Sequence, residues 1–354
     1  MKWVYYIIAV GLSICALYFT FKNVPFFNIW VYSKSIDFKW IIISIGINFF
    51  SFLIRAYRWH LIVNQIHPIT FRTAYHLTSI AFMMNSLLPG RMGEFARPAI
   101  LNKIENVPIV SGFTTIVTER LFDLIMLCLM YITVIFFIDI DPNYQMNIGA
   151  YTLSHTLLTS VAYHIFLVFL FFIICIVSVN IKEVRSLIKK ILLKVPHVIF
   201  WTELQTRNNI ERKCIHPIIR LIDYVSDGFS FFKRPLVIVN CFVLSMALWI
   251  LIAFSNYLMT LGCKNMNVEF IEMCAVLVIV CFFISLPSVP GAWGLWEAGG
   301  IFALTMFGIG KQEATAYTIV NHATSLFPII VAGIISLMIT GVSIRFSRDN
   351  PENV

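Results

Sequence analysis

The chain has 354 residues, of which 59% are apolar and only 12% are charged, and its mean hydropathy is +0.84. Soluble domains carry about 25% charged residues, so this composition excludes a soluble globular fold and predicts an all-α polytopic membrane protein. The formal net charge of +8 is concentrated between the apolar runs. That distribution is typical of a membrane protein and does not indicate nucleic-acid binding.

Apolar runs long enough to cross a bilayer, which takes roughly 20 residues, recur along the chain. About six full spans are predicted, at residues 3–21, 39–57, 109–138, 155–180, 236–260 and 313–343. Two further apolar regions, 74–102 and 268–308, are each interrupted by a Pro-Gly pair, which makes eight hydrophobic regions in all. The first span follows Lys2 without a small-residue cleavage site, so it is interpreted as an uncleaved span and not as a signal peptide.

The positive-inside rule orients these segments. The segment 181–235 carries eleven Lys and Arg residues and is predicted to be a cytoplasmic connector. The segment 139–154 has two Asp residues and no Lys or Arg, so it is predicted to face outward. Both chain termini are then cytoplasmic.

Two stretches about two hundred residues apart follow the same plan. Each places a Pro-Gly pair and a carboxylate, Glu94 or Glu297, inside apolar sequence. Glu94 precedes Glu119 by 25 positions, and Glu297 precedes His322 by the same number. Interrupted apolar segments at matching positions of two halves are the best sequence indication of a transporter binding site.

The arms of region 74–102 are too short to cross a membrane comfortably. Each has about 15 residues and reaches roughly 20 Å at 1.5 Å per residue. The region is therefore predicted to form a re-entrant hairpin that enters from the cytoplasm, with Pro89-Gly90 at its tip. Region 268–308 has longer arms, so two full spans are the alternative there, but a hairpin that enters from outside is favoured by analogy.

These assignments predict one transmembrane domain, residues 1–346, followed by a cytoplasmic tail at 347–354. Within it, an inverted-topology repeat relates a first half at about 39–138 to a second half at about 236–343. A binding site is expected where the two hairpins meet near the bilayer midplane.

The first candidate residues are Arg91, Glu94 and Arg97, which follow Pro89-Gly90. A half-helix that starts there would present free N–H groups and the positive end of its dipole. Because Arg matches phosphate oxygens in bidentate geometry, this group predicts an anion site. The alternative is that Glu94 pairs with an arginine and only locks the hairpin.

Charged residues also lie within the predicted spans, where they are costly without a partner or a cavity. Glu119, Arg120 and Asp123 fall near the bilayer centre and predict a substrate or proton site, with an internal salt bridge as the alternative. Arg55 and Arg58 lie at the cytoplasmic end of the second span. They are expected either to bind a lipid phosphate at the mouth of the cavity or to serve as anchors at the membrane interface.

The second half offers a different set of side chains: Trp293, Trp296, Glu297, Asn321 and His322. His322 would either titrate near neutral pH or form a satisfied interhelical hydrogen bond. The two Trp side chains are expected to pack against acyl chains, with anchoring of the hairpin as the alternative. The sequence contains no metal cluster, nucleotide loop or catalytic triad spacing, so no metal or cofactor is predicted.

Four ordered blocks of the sequence resemble one membrane family. The segment from Asn85 to Arg97 follows the pattern Asn-x-x-x-Pro-x-Arg-x-Gly-Glu-x-x-Arg, and Asn85 is included among the candidate binding residues. The other blocks are Arg55-Ala56-Tyr57-Arg58-Trp59, Glu119-Arg120-Leu121-Phe122-Asp123 and Pro290-Gly291-Ala292-Trp293-Gly294-Leu295-Trp296-Glu297. Over nearly its whole length the chain resembles the lysylphosphatidylglycerol synthase transmembrane-region family, also called flippase-like.

This resemblance implies that a lipid with a polar head group moves between leaflets. The family includes the flippase half of lysyl-lipid synthases and stand-alone members linked to polyisoprenyl-phosphate sugars and hopanoids. No aminoacyl-transferase or glycosyltransferase domain accompanies the membrane region here, so lysyl transfer is not expected and the head group is left open.

We therefore expect a lipid flippase or transporter, not an enzyme, in the cell membrane of a bacterium or archaeon. Its ligand is expected to be a phospholipid or a polyisoprenyl-phosphate-linked lipid, and a lipid synthase or glycosyltransferase is the protein partner to consider. One alternative is an integral-membrane glycosyltransferase or other lipid-modifying enzyme, with Asp37, Asp139 or Asp141 as the catalytic acid. The other is a non-catalytic subunit of a lipid synthase.

Overall fold

The computed structural model describes residues 32–88, 90–137, 234–286 and 289–341 as four long stretches. Between the second and third of these it also describes 145–148, 151–154, 160, 163, 167, 170, 183–187, 189–191, 215, 218 and 219. The predicted span 3–21 and the tail 347–354 lie outside the described residues. The predicted span 155–180 and the connector 181–235 lie largely outside them.

The described membrane part is built from helices, which are numbered here in chain order. They are α1 (Phe38–Val63), α2 (Phe71–Leu87), α3 (Met92–Glu105), α4 (Ile109–Phe137), α5 (Pro235–Thr260), α6 (Phe270–Ile284), α7 (Leu295–Met306) and α8 (Lys311–Thr340). Among the described residues, α1, α4, α5 and α8 are long and apolar enough to cross a membrane. Four of the predicted full spans are thus confirmed as candidate spans.

The first of these helices is longer than predicted. The span 39–57 was expected to end at its arginines, but α1 continues to Val63 and Arg58 is fully buried within it. The helix continues past these charges, which are paired inside the protein, as described below.

A short antiparallel hairpin lies in the connection that was predicted to face outward. Its strands are β1 (Gln145–Ile148) and β2 (Tyr151–Ser154), with Ile148 paired to Tyr151. The all-α prediction did not include it.

Both Pro-Gly pairs coincide with breaks in the helices. After α2 the chain is extended at Leu88, and Gly90 and Arg91 then take positive φ angles of 73° and 52°. A proline disfavours helix at the residue before it, and Gly carries no steric penalty at positive φ. The second break contains a single 3₁₀ turn, Pro290–Ala292, before α7 begins.

Within each half, the two short helices fold back on each other. Gly93 of α3 lies so close to α2 that an added Cβ would be 1.8 Å from the carbonyl oxygen of Ala81. The Gly93 N–H also donates to Oδ1 of Asn85 at 2.8 Å. In the second half, Gly299 of α7 packs against Phe283 of α6. Each half therefore consists of a long helix, a bent pair of short helices and a second long helix.

The first long helices of the two halves, α1 and α5, run in opposite directions. Ser44 of α1 is hydrogen-bonded to Ser255 of α5, and Arg58 further along α1 is bonded to Ser245 earlier in α5. The packing is reciprocal, because α2 of the first half contacts α8 of the second and α6 of the second contacts α4 of the first.

The two helix breaks contact each other. The Nη2 atom of Arg91 donates to the carbonyl oxygen of Ile284, at the end of α6, across 3.1 Å. Gly291 of the second break lies beside the carbonyl oxygen of Ser86, at the end of α2. The backbone at the end of α6 thus has a polar partner in the first half, and the second break packs closely against the end of α2.

The contact at Gly93 yields a stability test. Gly93→Ala is expected to destabilise the protein by more than the roughly 1–3 kcal/mol typical of an overpacked position, because the methyl group would overlap backbone and not a flexible side chain. The measurement is thermal unfolding of the purified protein in detergent.

Gly46→Ala, in α1, is the matched control for this substitution. A Cβ at Gly46 meets no atom within 4 Å, and Ala is a better helix former than Gly by about 0.8–1.0 kcal/mol. Equal unfolding temperatures for the two variants would contradict the close approach of α2 and α3.

Candidate functional site

A cavity of about 450 Å³ lies between the two halves, beside the helix breaks. This volume is within the roughly 300–1,000 Å³ range of small-molecule sites. Its polar wall comes from α1, both breaks, α4 and α8, and its apolar wall includes Phe49 and Leu326. Seven of the predicted site residues line it: Arg55, Asn85, Arg91, Glu94, Arg120, Trp296 and His322.

Behind the polar wall lies a fully buried network of two arginines and two carboxylates. Arg58 Nη2 is 2.8 Å from Asp123 Oδ1 and 3.3 Å from Glu119 Oε1. Arg97 Nη1 is 3.0 Å from Glu119 Oε2. None of the four lines the cavity. We call this set the inner layer; its formal charge is zero.

A second set of charged residues faces the cavity. Arg120 Nη1 is 3.1 Å from Asp123 Oδ2, and Arg120 Nε is 3.7 Å from Glu94 Oε1. Arg55 Nη1 is 3.4 Å from Asp123 Oδ2, and Arg91 Nη1 is 3.9 Å from Glu94 Oε1. We call Arg55, Arg91, Glu94 and Arg120 the cavity layer. It has three arginines and one carboxylate.

These contacts bear on the alternatives that the sequence left open. Glu119 and Asp123 are the internal salt-bridge partners of the surrounding arginines. Glu94 does pair with arginines, yet it also lines the cavity, so locking the hairpin and forming the site involve the same residues. Arg58 is completely buried inside the protein.

Two residues of α5 complete the network and were missed by the sequence analysis. Ser245 Oγ accepts from Arg58 Nη1 at 2.6 Å, and Trp249 Nε1 donates to Asp123 Oδ1 at 3.2 Å. The signal for them was a polar stripe along an otherwise apolar helix, because residues four apart share a helix face. Asn256 lies further along α5 and also lines the cavity.

Aromatic rings support two of the arginines. The guanidinium of Arg97 lies 4.7 Å from the centre of the Trp59 ring, and that of Arg55 lies 5.1 Å from the Phe82 ring. Trp59 is fixed in turn by a hydrogen bond from its Nε1 to Thr115 Oγ1 at 3.1 Å. Such cation–π contacts favour Arg over Lys at these positions.

The second half brings a different chemistry to the same cavity. Nδ1 of His322 is 2.6 Å from Oε1 of Glu297, and the other carboxylate oxygen accepts from the Gly294 N–H at 2.7 Å. The imidazole is stacked on Trp296 at 4.7 Å and contacts Trp293 at 4.4 Å. His322 is thus held in one orientation at the cavity wall.

The remaining predicted residues are peripheral to the cavity. Trp293 and Glu297 lie behind His322, and Asn321 donates from Nδ2 to Oδ1 of Asn256 at 3.0 Å. Asp37, a candidate acid for the enzyme alternative, caps α1 by accepting from the Lys39 N–H. Asp139 and Asp141 lie outside the described residues.

The inner layer predicts non-additive stability effects. Glu119→Gln alone should destabilise by about 3–5 kcal/mol, because it leaves the buried Arg97 without its carboxylate partner. Arg97→Gln alone should cost less, because Glu119 keeps Arg58 at 3.3 Å and Arg120 at 3.7 Å. The double variant should cost clearly less than the sum of the two. Unfolding by denaturant titration in mixed micelles measures all three; strictly additive losses would show that the 3.0 Å contact contributes no coupling.

Comparisons with known proteins agree with the motif resemblance. The family model described as lysylphosphatidylglycerol synthase TM region matches residues 6–333. A UPF0104 membrane protein from Methanothermobacter thermautotrophicus is 24% identical over 298 residues, which cover 80% of this chain and 78% of the relative. No solved structure gives a significant match. Because the family model spans most of the sequence, the chain belongs to the lysylphosphatidylglycerol synthase transmembrane-region family.

Proposed function

We propose that this protein is a lipid transporter that moves a lipid with a phosphate-containing head group between the two leaflets. The observation that carries the proposal is the cavity between the two halves, whose polar wall has three arginines and one carboxylate. Charged groups within membrane-spanning protein are expensive unless they are paired or serve a ligand pathway. Here the arginines exceed the carboxylates that could pair with them.

In this arrangement, α2 with α3 and α6 with α7 form two re-entrant hairpins in the membrane. The helices have 17, 14, 15 and 12 residues. At 1.5 Å per residue the longest reaches about 26 Å, less than the roughly 30 Å of a hydrocarbon core. For region 268–308 this supports a hairpin over two full spans, and the antiparallel pairing of α1 with α5 supports an inverted repeat.

The non-helical backbone at the two breaks fits this arrangement. Such backbone is tolerated at membrane depth only where it is buried in protein or lines a wet cavity. Gly90, Arg91 and Gly291 line the cavity, and the breaks are bonded to each other through Arg91 and Ile284. Two hairpins that enter from opposite sides would meet at this point.

A lipid could occupy such a cavity with its tails still in the bilayer. Phe49 and Leu286 line the cavity and are 37% and 41% exposed. This apolar edge provides a lateral opening for acyl chains, while Arg55, Arg91 and Arg120 bind the phosphate. Movement of the two hairpins relative to each other, with exchange of the Arg91–Ile284 contact, would give alternating access.

Reconstituted transport tests the proposal. Liposomes containing the protein are loaded with fluorescent short-chain lipids that carry phosphate head groups, and translocation is followed by quenching of the outer leaflet. Arg91→Gln and Arg120→Gln are expected to slow translocation about 10- to 100-fold, because a charge-assisted hydrogen bond contributes about 1.5–3 kcal/mol.

Arg72→Gln is the control for these variants, since Arg72 is exposed at the start of α2 and does not line the cavity. It should transport at the wild-type rate. If well-folded Arg91→Gln and Arg120→Gln proteins move every tested lipid as fast as the wild type, the cavity is not the transport site. If the wild type moves none of them, the transport proposal fails.

A further inference from the structure

The charges of the site separate into two layers with different sums. In the inner layer, Arg58 and Arg97 are balanced by Glu119 and Asp123, at distances of 2.8–3.3 Å. The cavity layer has three arginines against Glu94 and therefore a formal charge of +2. Arg55 and Arg120 also contact Asp123 of the inner layer, but the five arginines and three carboxylates of the two layers together still sum to +2. Among the described residues that line the cavity, no further Asp or Glu offsets this excess.

Two helix ends add to the positive potential and one carboxylate offsets them. Helices α3 and α7 both begin at the breaks that border the cavity, and a helix N-terminus is equivalent to about +0.5 charge. Glu297 is the third residue of α7 and lies directly behind His322. The two helix N-termini together contribute about +1, and the single negative charge of Glu297 offsets this contribution. The net charge around the cavity therefore stays near +2.

We propose that the cavity selects a head group with two negative charges, that is, a terminal phosphate monoester or a diphosphate. This inference rests on the proposed function and names its substrate class. A phosphodiester carries one negative charge. A zwitterionic head group has a net charge of zero, and a cationic aminoacylated head group has a net positive charge. A phosphomonoester carries about −1.5 to −2 at pH 7, which matches the excess of the cavity layer.

The three arginines suit such a group in geometry as well as in charge. They come from α1, the first break and α4, so they approach the cavity from three directions. A terminal phosphate has three free oxygens, and Arg binds pairs of oxygens with two parallel N–H groups. A diester, in which two oxygens are esterified, offers fewer acceptors to the same set.

Binding of short-chain lipids to the purified full-length protein tests this selectivity. The probes are dihexanoyl phosphatidic acid, phosphatidylglycerol and phosphatidylcholine, with inorganic phosphate as the probe for free anion. Fluorescence of Trp249 and Trp296, which line the cavity, provides the readout. Phosphatidic acid is expected to bind at least about tenfold more tightly than phosphatidylglycerol, because it offers a further charge-assisted contact.

Two variants change the cavity charge in opposite directions. Glu94→Gln raises the formal charge of the cavity layer to +3 and frees Arg120 and Arg91 from the carboxylate, so it should bind phosphatidic acid more tightly than the wild type. Arg91→Gln lowers it and should weaken binding about tenfold. The side chain of Arg91 is 53% exposed, so this variant is expected to fold. Arg72→Gln should leave every affinity unchanged.

The pH dependence of the preference gives an independent measurement. The second pKa of a phosphomonoester is about 6, so phosphatidic acid becomes a monoanion at pH 5 and its advantage over phosphatidylglycerol should shrink to about twofold or less. His322 and Glu94 also line the cavity, and Glu297, Glu119 and Asp123 lie behind it. Protonation of these groups affects both lipids, so the ratio of the two affinities is the quantity to follow.

Equal affinities for the three lipids, or weaker binding by Glu94→Gln, would overturn the inference. Inorganic phosphate that binds as tightly as phosphatidic acid would show that the site takes free phosphate and not a lipid. These outcomes are distinct from a failure of the proposed function. Transport without charge preference refutes only the head-group class, whereas selective binding of phosphatidic acid without transport refutes only the movement between leaflets.

Discussion

The structure depends on two carboxylates on adjacent turns of one helix, Glu119 and Asp123, which bind arginines from three helices. In a low-dielectric interior an unpaired arginine is far more costly than at a surface, so each guanidinium must stay near a carboxylate. This requirement fixes α1 against α4 and holds the first bent helix pair in place. It also helps to set the position of the cavity, because Arg55 and Arg120, which line the cavity, both contact Asp123.

The two halves share a backbone plan but differ in chemistry. In both, the second short helix starts after a Pro-Gly break and carries a glutamate as its third residue, Glu94 or Glu297. Glu94 contacts arginines at the cavity wall, whereas Glu297 is buried against His322. One half therefore contributes the charge of the cavity and the other contributes a rigid aromatic and imidazole surface, which gives a head group two different sides to contact.

Close packing of small residues makes this arrangement possible. The bent pairs can fold back tightly because Gly93 and Gly299 let one helix backbone approach the other, as is common where helices pack inside membranes. The same closeness satisfies the interrupted backbone, since Asn85 caps Gly93 and Arg91 reaches Ile284. The close packing of the helices is therefore what allows the hydrogen bonds at the breaks to form.

Composition and local pattern alone determined the membrane class, the positions of four long helices and both helix breaks, and four motif blocks indicated the family by resemblance. These features are local: hydropathy depends on a run of neighbours, and Pro-Gly acts on the backbone at its own position. The sequence also indicated which charged residues would gather. The tertiary structure decided how they are divided, with Arg58 and Arg97 buried in pairs and Arg55, Arg91 and Arg120 at the cavity. It also brought Ser245 and Trp249 into the charged network. Pairing between side chains depends on which helix faces meet, and a local stretch of sequence does not contain that information.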